Sequence, residues 1–224
     1  MTLARLARCA GLAATVLGAA ACSDGNLSDC LESNATRYAY HLPGDSTAVF
    51  RWTTARMPVR VYADPTGALP ENADSAMVLW VNAFRCGELT LERVADSNVA
   101  DIILRNPAAM PPLPARAMTL FADSVGACLG RTDGAIDTTA TPDSLLGPLR
   151  SYVTPNGSDP VAVAGCYRFT VAHELGHALG LLSHSGNAAD LMHAVPKRRV
   201  ATVNDRFTVQ LLYQAAPTIR PAAR

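Results

Sequence analysis

The strongest chemical signal in the 224-residue chain is the run His173-Glu174-Leu175-Gly176-His177. On a helix, side chains four residues apart lie on one face, one above the other. Two imidazoles placed this way can aim nitrogens at a single metal ion about 2 Å away. Glu174, adjacent to His173, reaches the space beside such an ion, where a carboxylate can take a proton from water that the ion activates. Zinc is the expected ion, because imidazole is its common ligand and hydrolysis needs no redox change. The same five residues also fit a polar helix face with two surface histidines. The flanking Val171-Ala172 and Ala178-Leu179 argue against that, since two histidines and a glutamate facing a core need a reason, and a metal supplies one.

Three residues past His177, Gly180 suits the left-handed conformation that ends a helix and turns the chain back. A later side chain can then approach the same metal. His184 is the candidate third ligand and His193 the other. A carboxylate from Asp190 or Asp205 is a remoter choice, and no glutamate follows Glu174 to serve instead. Met192 stands eight residues beyond His184, within Asp190-Leu191-Met192.

The stretch HELGHALGLLSHSGNAADLMH resembles the metzincin zinc peptidases, and the matrixin branch in particular. Their pattern is H-E-x-x-H-x-x-G-x-x-H followed by a methionine turn under the metal. His173, Glu174, His177 and Gly180 match it, as do Ser185 and the spacing from His184 to Met192. One extra residue separates Gly180 from His184, so the family spacing lands on Ser183, a poor zinc ligand; a one-residue bulge would still deliver His184. A weaker likeness covers Phe50-Arg51-Trp52, Trp80, Phe84, Leu89, Leu91, Val94 and Ala100-Asp101-Ile102, and the stronger likeness after Tyr167 extends to the closing segment from Thr202 to Tyr213.

The resemblance implies an α+β fold: a twisted, mixed five-stranded sheet with an active-site helix, a backing helix and a C-terminal helix. It implies a zinc-dependent endopeptidase in which His173, His177 and His184 hold one catalytic Zn²⁺ and Glu174 is the base. Met192 would be a packed floor beneath the ligands, and a protein or peptide substrate would lie extended along an edge strand, placed at 126–130. The alternative is a catalytically inactive zinc-binding or adhesion lipoprotein on the same fold, for which Glu174 has no evident use. The cysteine-switch propeptide, a histidine set for a second zinc and the astacin tyrosine after Met192 are absent from the sequence. A calcium ion at Asp133 and Asp137 is conceivable, but two aspartates in a turn are more often solvated.

Those residues need elements to position them. Alternating apolar residues and turn signals predict strands at 57–62, 89–94 and 101–104, with shorter ones at 118–122, 126–130 and 135–138. A helix is predicted over 70–84, with Asn72 or Asp74 as its cap and Gly87 as its stop, and Trp80 and Phe84 in the core. The Pro-, Asp-, Ser- and Gly-rich stretch 139–160 reads as a long surface loop. Helices follow at about 167–179 and at 203–214, the last opened by a capping box of Thr202 and Asp205.

Nearly half the chain is apolar, so it is neither disordered nor fibrous, and one catalytic domain at 49–214 accounts for it, followed by a tail at 215–224. The 19 basic and 19 acidic residues balance, which gives no footprint for nucleic acid. Arg5 and Arg8, an apolar run and Ala19-Ala20-Ala21 give residues 1–21 the order of a secretory signal. LGAAAC resembles a bacterial lipobox, so Cys22 is either lipidated or left free by plain cleavage after Ala21. Either route puts a monomer outside the cytoplasm, as a bacterial envelope lipoprotein held to the membrane by that anchor alone, or as a secreted protein. Residues 22–48 read as a polar tether pinned at Cys30. In that compartment Cys30, Cys86, Cys128 and Cys166 are expected to form two disulfides, with three pairings open.

Overall fold

Residues 27–113, 118–125 and 127–222 are described by a computed structural model. The expected signal segment and Cys22 lie outside them. Alternation of side chains makes a strand, β1, of Val59–Ala63, which buries Val59, Val61 and Ala63 and leaves Arg60 and Tyr62 half-buried. A helix, α1 (Leu69–Val81), then crosses to β2 (Leu91–Arg93), which pairs parallel with β1; β3 (Ile102–Arg105) pairs parallel with its other side.

The chain next forms β4 (Met118–Val125), β5 (Cys128–Gly134), β6 (Ile136–Asp137), β7 (Asp143–Leu145) and β8 (Leu149–Pro155). β8 inserts between β3, to which it is parallel, and β5, to which it is antiparallel, and β4 pairs antiparallel outside β5. The resulting mixed sheet has the order β2-β1-β3-β8-β5-β4. Its five longer strands make the mixed sheet that was expected, and the three-residue β2 adds a sixth at the edge. Two long helices follow, α2 (Pro160–Ala178) and α3 (Val203–Gln214), and a last strand, β9 (Ile219–Arg220), joins β6 and β7 in a small separate sheet. α1 and α2 pack on each other, and α2 lies across β5 and β8. The fold is α+β.

Several expectations need correction. The stretch 139–160 is not a loop, because it contains β7 and the central strand β8. Only Leu149 and Val153 are aliphatic in β8, and Pro, Asp and Gly on both sides mask it; its ladder bonds on two sides hold it in place. α2 starts at Pro160, earlier than expected, because Asp159 caps it by accepting from the Val161 N–H (3.0 Å) and proline suits the first turn. α1 is opened by Ala68, with no side-chain cap, so Asn72 and Asp74 sit within the helix; Gly87 takes its left-handed φ of 73° in a turn beyond the helix end. Of the strand placed at 126–130, Gly126 lies outside the described residues and 128–130 open β5, which is paired on both sides; the outer strand of that half of the sheet is β4.

The core runs between the sheet and the helices through Leu69, Trp80, Leu89, Ile102, Leu149, Leu175 and Leu212, with Trp80 fully buried as expected and Phe84 at its margin. Disulfides join Cys30 to Cys86 and Cys128 to Cys166. Within the expected tether Cys30 is held by its disulfide, and residues 31–48 pack on the domain instead of hanging free. Their contacts with α3 include Glu32 with Gln210 (2.7 Å) and Thr36 with Asn204 (2.9 Å). The tail is also bound in, through β9 and a Val49–Thr218 bond of 2.9 Å. Among the described residues, no helix is long and apolar enough to cross a membrane.

Candidate metal centre

His173 and His177 occupy adjacent turns of α2, both fully buried, and their Nε2 atoms face each other at 3.0 Å. Their other ring nitrogens are committed. His173 Nδ1 lies 2.8 Å from the Leu191 carbonyl, and His177 Nδ1 lies 2.6 Å from the Leu181 carbonyl. A carbonyl oxygen can only accept, so both Nδ1 atoms carry the proton and donate it. Each Nε2, across the ring from that donated proton, faces the other in a buried place, an arrangement that a metal ion ligated by both would satisfy. Backbone carbonyls fixing the tautomer behind ring nitrogens are how metal-binding imidazoles are commonly oriented.

The turn after α2 brings in the third ring. Gly180 has φ +110°, a conformation that L side chains rarely adopt, and a Cβ there would overlap the Phe50 carbonyl. With the chain reversed, Leu181 N–H returns to the Gly176 carbonyl (3.1 Å) and the Leu181 carbonyl meets His177. His184 then stacks on His173 at 5.4 Å between ring centres and meets His177 edge-on at 5.0 Å. One ligand nitrogen from each of the three rings lies within 4.8 Å of the others. Imidazole nitrogens around one tetrahedral ion sit about 3.3 Å apart. The donor set, the fixed tautomers and the spacing fit a divalent cation.

The other proposed ligands lie elsewhere. His193 turns back on its own loop, its Nδ1 accepting from the Val195 N–H at 3.1 Å. Asp190 accepts from Ser185 Oγ (2.6 Å) and Thr202 Oγ1 (2.7 Å). Asp205 accepts from the backbone N–H groups of Leu191 (2.9 Å), Met192 (3.2 Å) and Thr202 (2.8 Å). These two buried carboxylates fix the turn that carries Met192. The Met192 side chain is fully buried, with its sulfur so close to Gly176 that a Cβ there would collide with it. Of the calcium candidates, Asp133 is paired with Arg131 at 2.9 Å and Asp137 closes a local turn onto Thr139.

Glu174 is fully buried on the side of α2 that faces β5. Its Oε2 accepts a short bond of 2.6 Å from Thr132 Oγ1, which also lies 2.9 Å from Ser151 Oγ. A Cβ on Gly130 would overlap the carboxylate, so β5 passes this close only because that residue is glycine. Thr132, Gly130 and Ser151 escape a sequence reading: nothing local marks them, and their relation to Glu174 exists only once β5 and β8 lie under α2.

The sequence therefore places His173, Glu174, His177 and His184 together, and the structure adds a carbonyl behind each of the two helical histidines and a hydroxyl beside the glutamate. Compared with known protein families and with curated proteins, the chain matches none.

Proposed function

We propose that the chain is a zinc-dependent endopeptidase of metzincin type, acting on extracytoplasmic proteins or peptides. The observation that carries this reading is the pair of facing Nε2 atoms on α2, with His184 beside them and Glu174 next in the chain. His173, His177 and His184 would hold the ion, and three histidines leave a fourth position open. A zinc ion bound there supplies Lewis acidity, lowering the pKa of water and polarising a scissile carbonyl. Glu174 accepts the proton from the attacking water and returns it to the leaving amine. Thr132 fixes one carboxylate oxygen by donating to Oε2. Met192 packs beneath the ligands without binding the metal. The two disulfides support an oxidising compartment. The signal segment and the lipobox-like LGAAAC support export, with a lipid at Cys22 as one route and free secretion as the other.

A second reading, a zinc-binding or adhesion protein without peptidase activity, draws on the complete burial of Glu174. The two are separated by measuring zinc content and casein cleavage for the wild type and Glu174→Ala. The peptidase reading expects about one zinc per chain in both and cleavage by the wild type alone. Zinc in both with no cleavage of any protein in a broad panel would favour the second.

A further inference from the structure

Residues 30–48 form a strap that reaches both the loop carrying His184 and the carboxylate that holds the turn carrying Met192. The Tyr40 carbonyl accepts from the Leu182 N–H at 3.1 Å, and the His41 carbonyl accepts from Ser183 Oγ at 2.7 Å. Two residues earlier, Tyr38 OH donates to Asp205 Oδ1 at 2.9 Å, on the carboxylate that holds Leu191 and Met192. Burial and the neighbouring Asp205 charge push the Tyr38 phenol well above its ordinary pKa, so it remains a donor. Upstream, the strap is fixed by the Cys30–Cys86 disulfide and by Glu32 against Arg206 at 2.7 Å.

Ser183 stands at the position where metzincin spacing would put a ligand, and His184 follows it. Ser183 lies at a bend with its hydroxyl turned to the His41 carbonyl, while the ring of the next residue, His184, lies against His173 and His177. We infer that the strap, through the carbonyls of Tyr40 and His41, sets the register of the loop after α2: it holds Ser183 away from the metal and so turns His184 toward His173 and His177. Ser183 is thus a positioning residue, and the strap is part of the metal centre. The one-residue insertion after Gly180 is accommodated by a segment about 140 positions earlier in the chain. This inference rests on the metal reading given above.

The test uses the full chain with its disulfides formed. Zinc affinity is measured by competition with a chelator, and the coordination is read from the visible absorption of the cobalt(II)-substituted protein. The variants are Ser183→Ala, Ser183→Thr, Tyr38→Phe and the double variant Cys30→Ser/Cys86→Ser, with His184→Ala as the reference. Loss of a group that orients a ligand lowers metal affinity about 10- to 100-fold. Ser183→Ala is expected to fall in that range and to shift the cobalt spectrum toward that of His184→Ala, and Ser183→Thr to restore both. Tyr38→Phe and the double variant are expected to move in the same direction. Wild-type affinity and spectrum in Ser183→Ala and Tyr38→Phe, with His184→Ala still weakened, would overturn the strap's role and leave the metal reading standing. Undiminished zinc binding by His184→Ala, or none by the wild type, would remove the metal reading and this inference with it.

Discussion

At the residue scale, the proposed chemistry turns on which atom carries each proton. The carbonyls of Leu191 and Leu181 fix the histidine tautomers, and Thr132 fixes the Glu174 carboxylate. Replacing Thr132 with valine keeps the shape and removes the donor. A positioned general base contributes about 10²- to 10⁴-fold to rate. With Glu174 as the proposed base, Thr132→Val is expected to lower kcat about tenfold or more, with zinc content unchanged, as checked by steady-state kinetics beside metal analysis. Equal loss of zinc and of activity would mean that Thr132 supports the helix and not the base. This level was partly legible in the sequence. His173, Glu174 and His177 declare themselves because helix periodicity alone brings them together. Thr132, Ser151 and Gly130 do not, because they meet Glu174 only through pairing of β5 with β8 and packing under α2.

Among the elements, the turn after α2 bears the greatest constraint. Gly180→Ala would force a Cβ into a left-handed position already filled by the Phe50 carbonyl. Strain of this kind costs on the order of 1–3 kcal/mol or more. Chemical denaturation should show that loss, and zinc affinity should fall with it, because the same turn delivers His184. Stability equal to the wild type would contradict the assigned geometry. The glycine's role was readable from its place after the helix. β8 was not readable, because a seven-residue strand with two aliphatic side chains between prolines has no local signature. Its long-range ladder overrides a loop-like composition. The capping box at Thr202 and Asp205 was legible, but not the second use of Asp205, whose carboxylate also accepts from Leu191 and Met192.

Across the whole molecule, covalent links and the proposed metal would both act on the balance between folded and unfolded chains. The disulfides span 38 and 56 residues, and loops of that size lower the entropy of the unfolded chain by about 4 kcal/mol each. Removing Cys128–Cys166, which ties the start of β5 to α2, is expected to lower the denaturation midpoint clearly. An unchanged midpoint would mean that the unfolded chain gains little freedom when that link is cut. Zinc should stabilise by mass action, by about 2.7 kcal/mol at a hundredfold excess over Kd. For a domain of this size that is roughly 5–11 °C in Tm, reversed by a chelator. The α+β class could be anticipated from the order of elements. The docking of residues 31–48 could not, since a polar segment without periodicity reads as a tether until its main chain is seen to bond side chains of α3, the Ser183 hydroxyl and the Leu182 N–H.

The proposed chemistry depends on three imidazoles sharing one ion. X-ray absorption at the zinc edge of the purified chain tests that most directly. The expected result is about one zinc per chain in a shell of nitrogen and oxygen at about 2.0–2.1 Å, with three imidazoles reduced to two in His184→Ala. Sulfur ligands at about 2.3 Å, or no bound zinc at all, would contradict it.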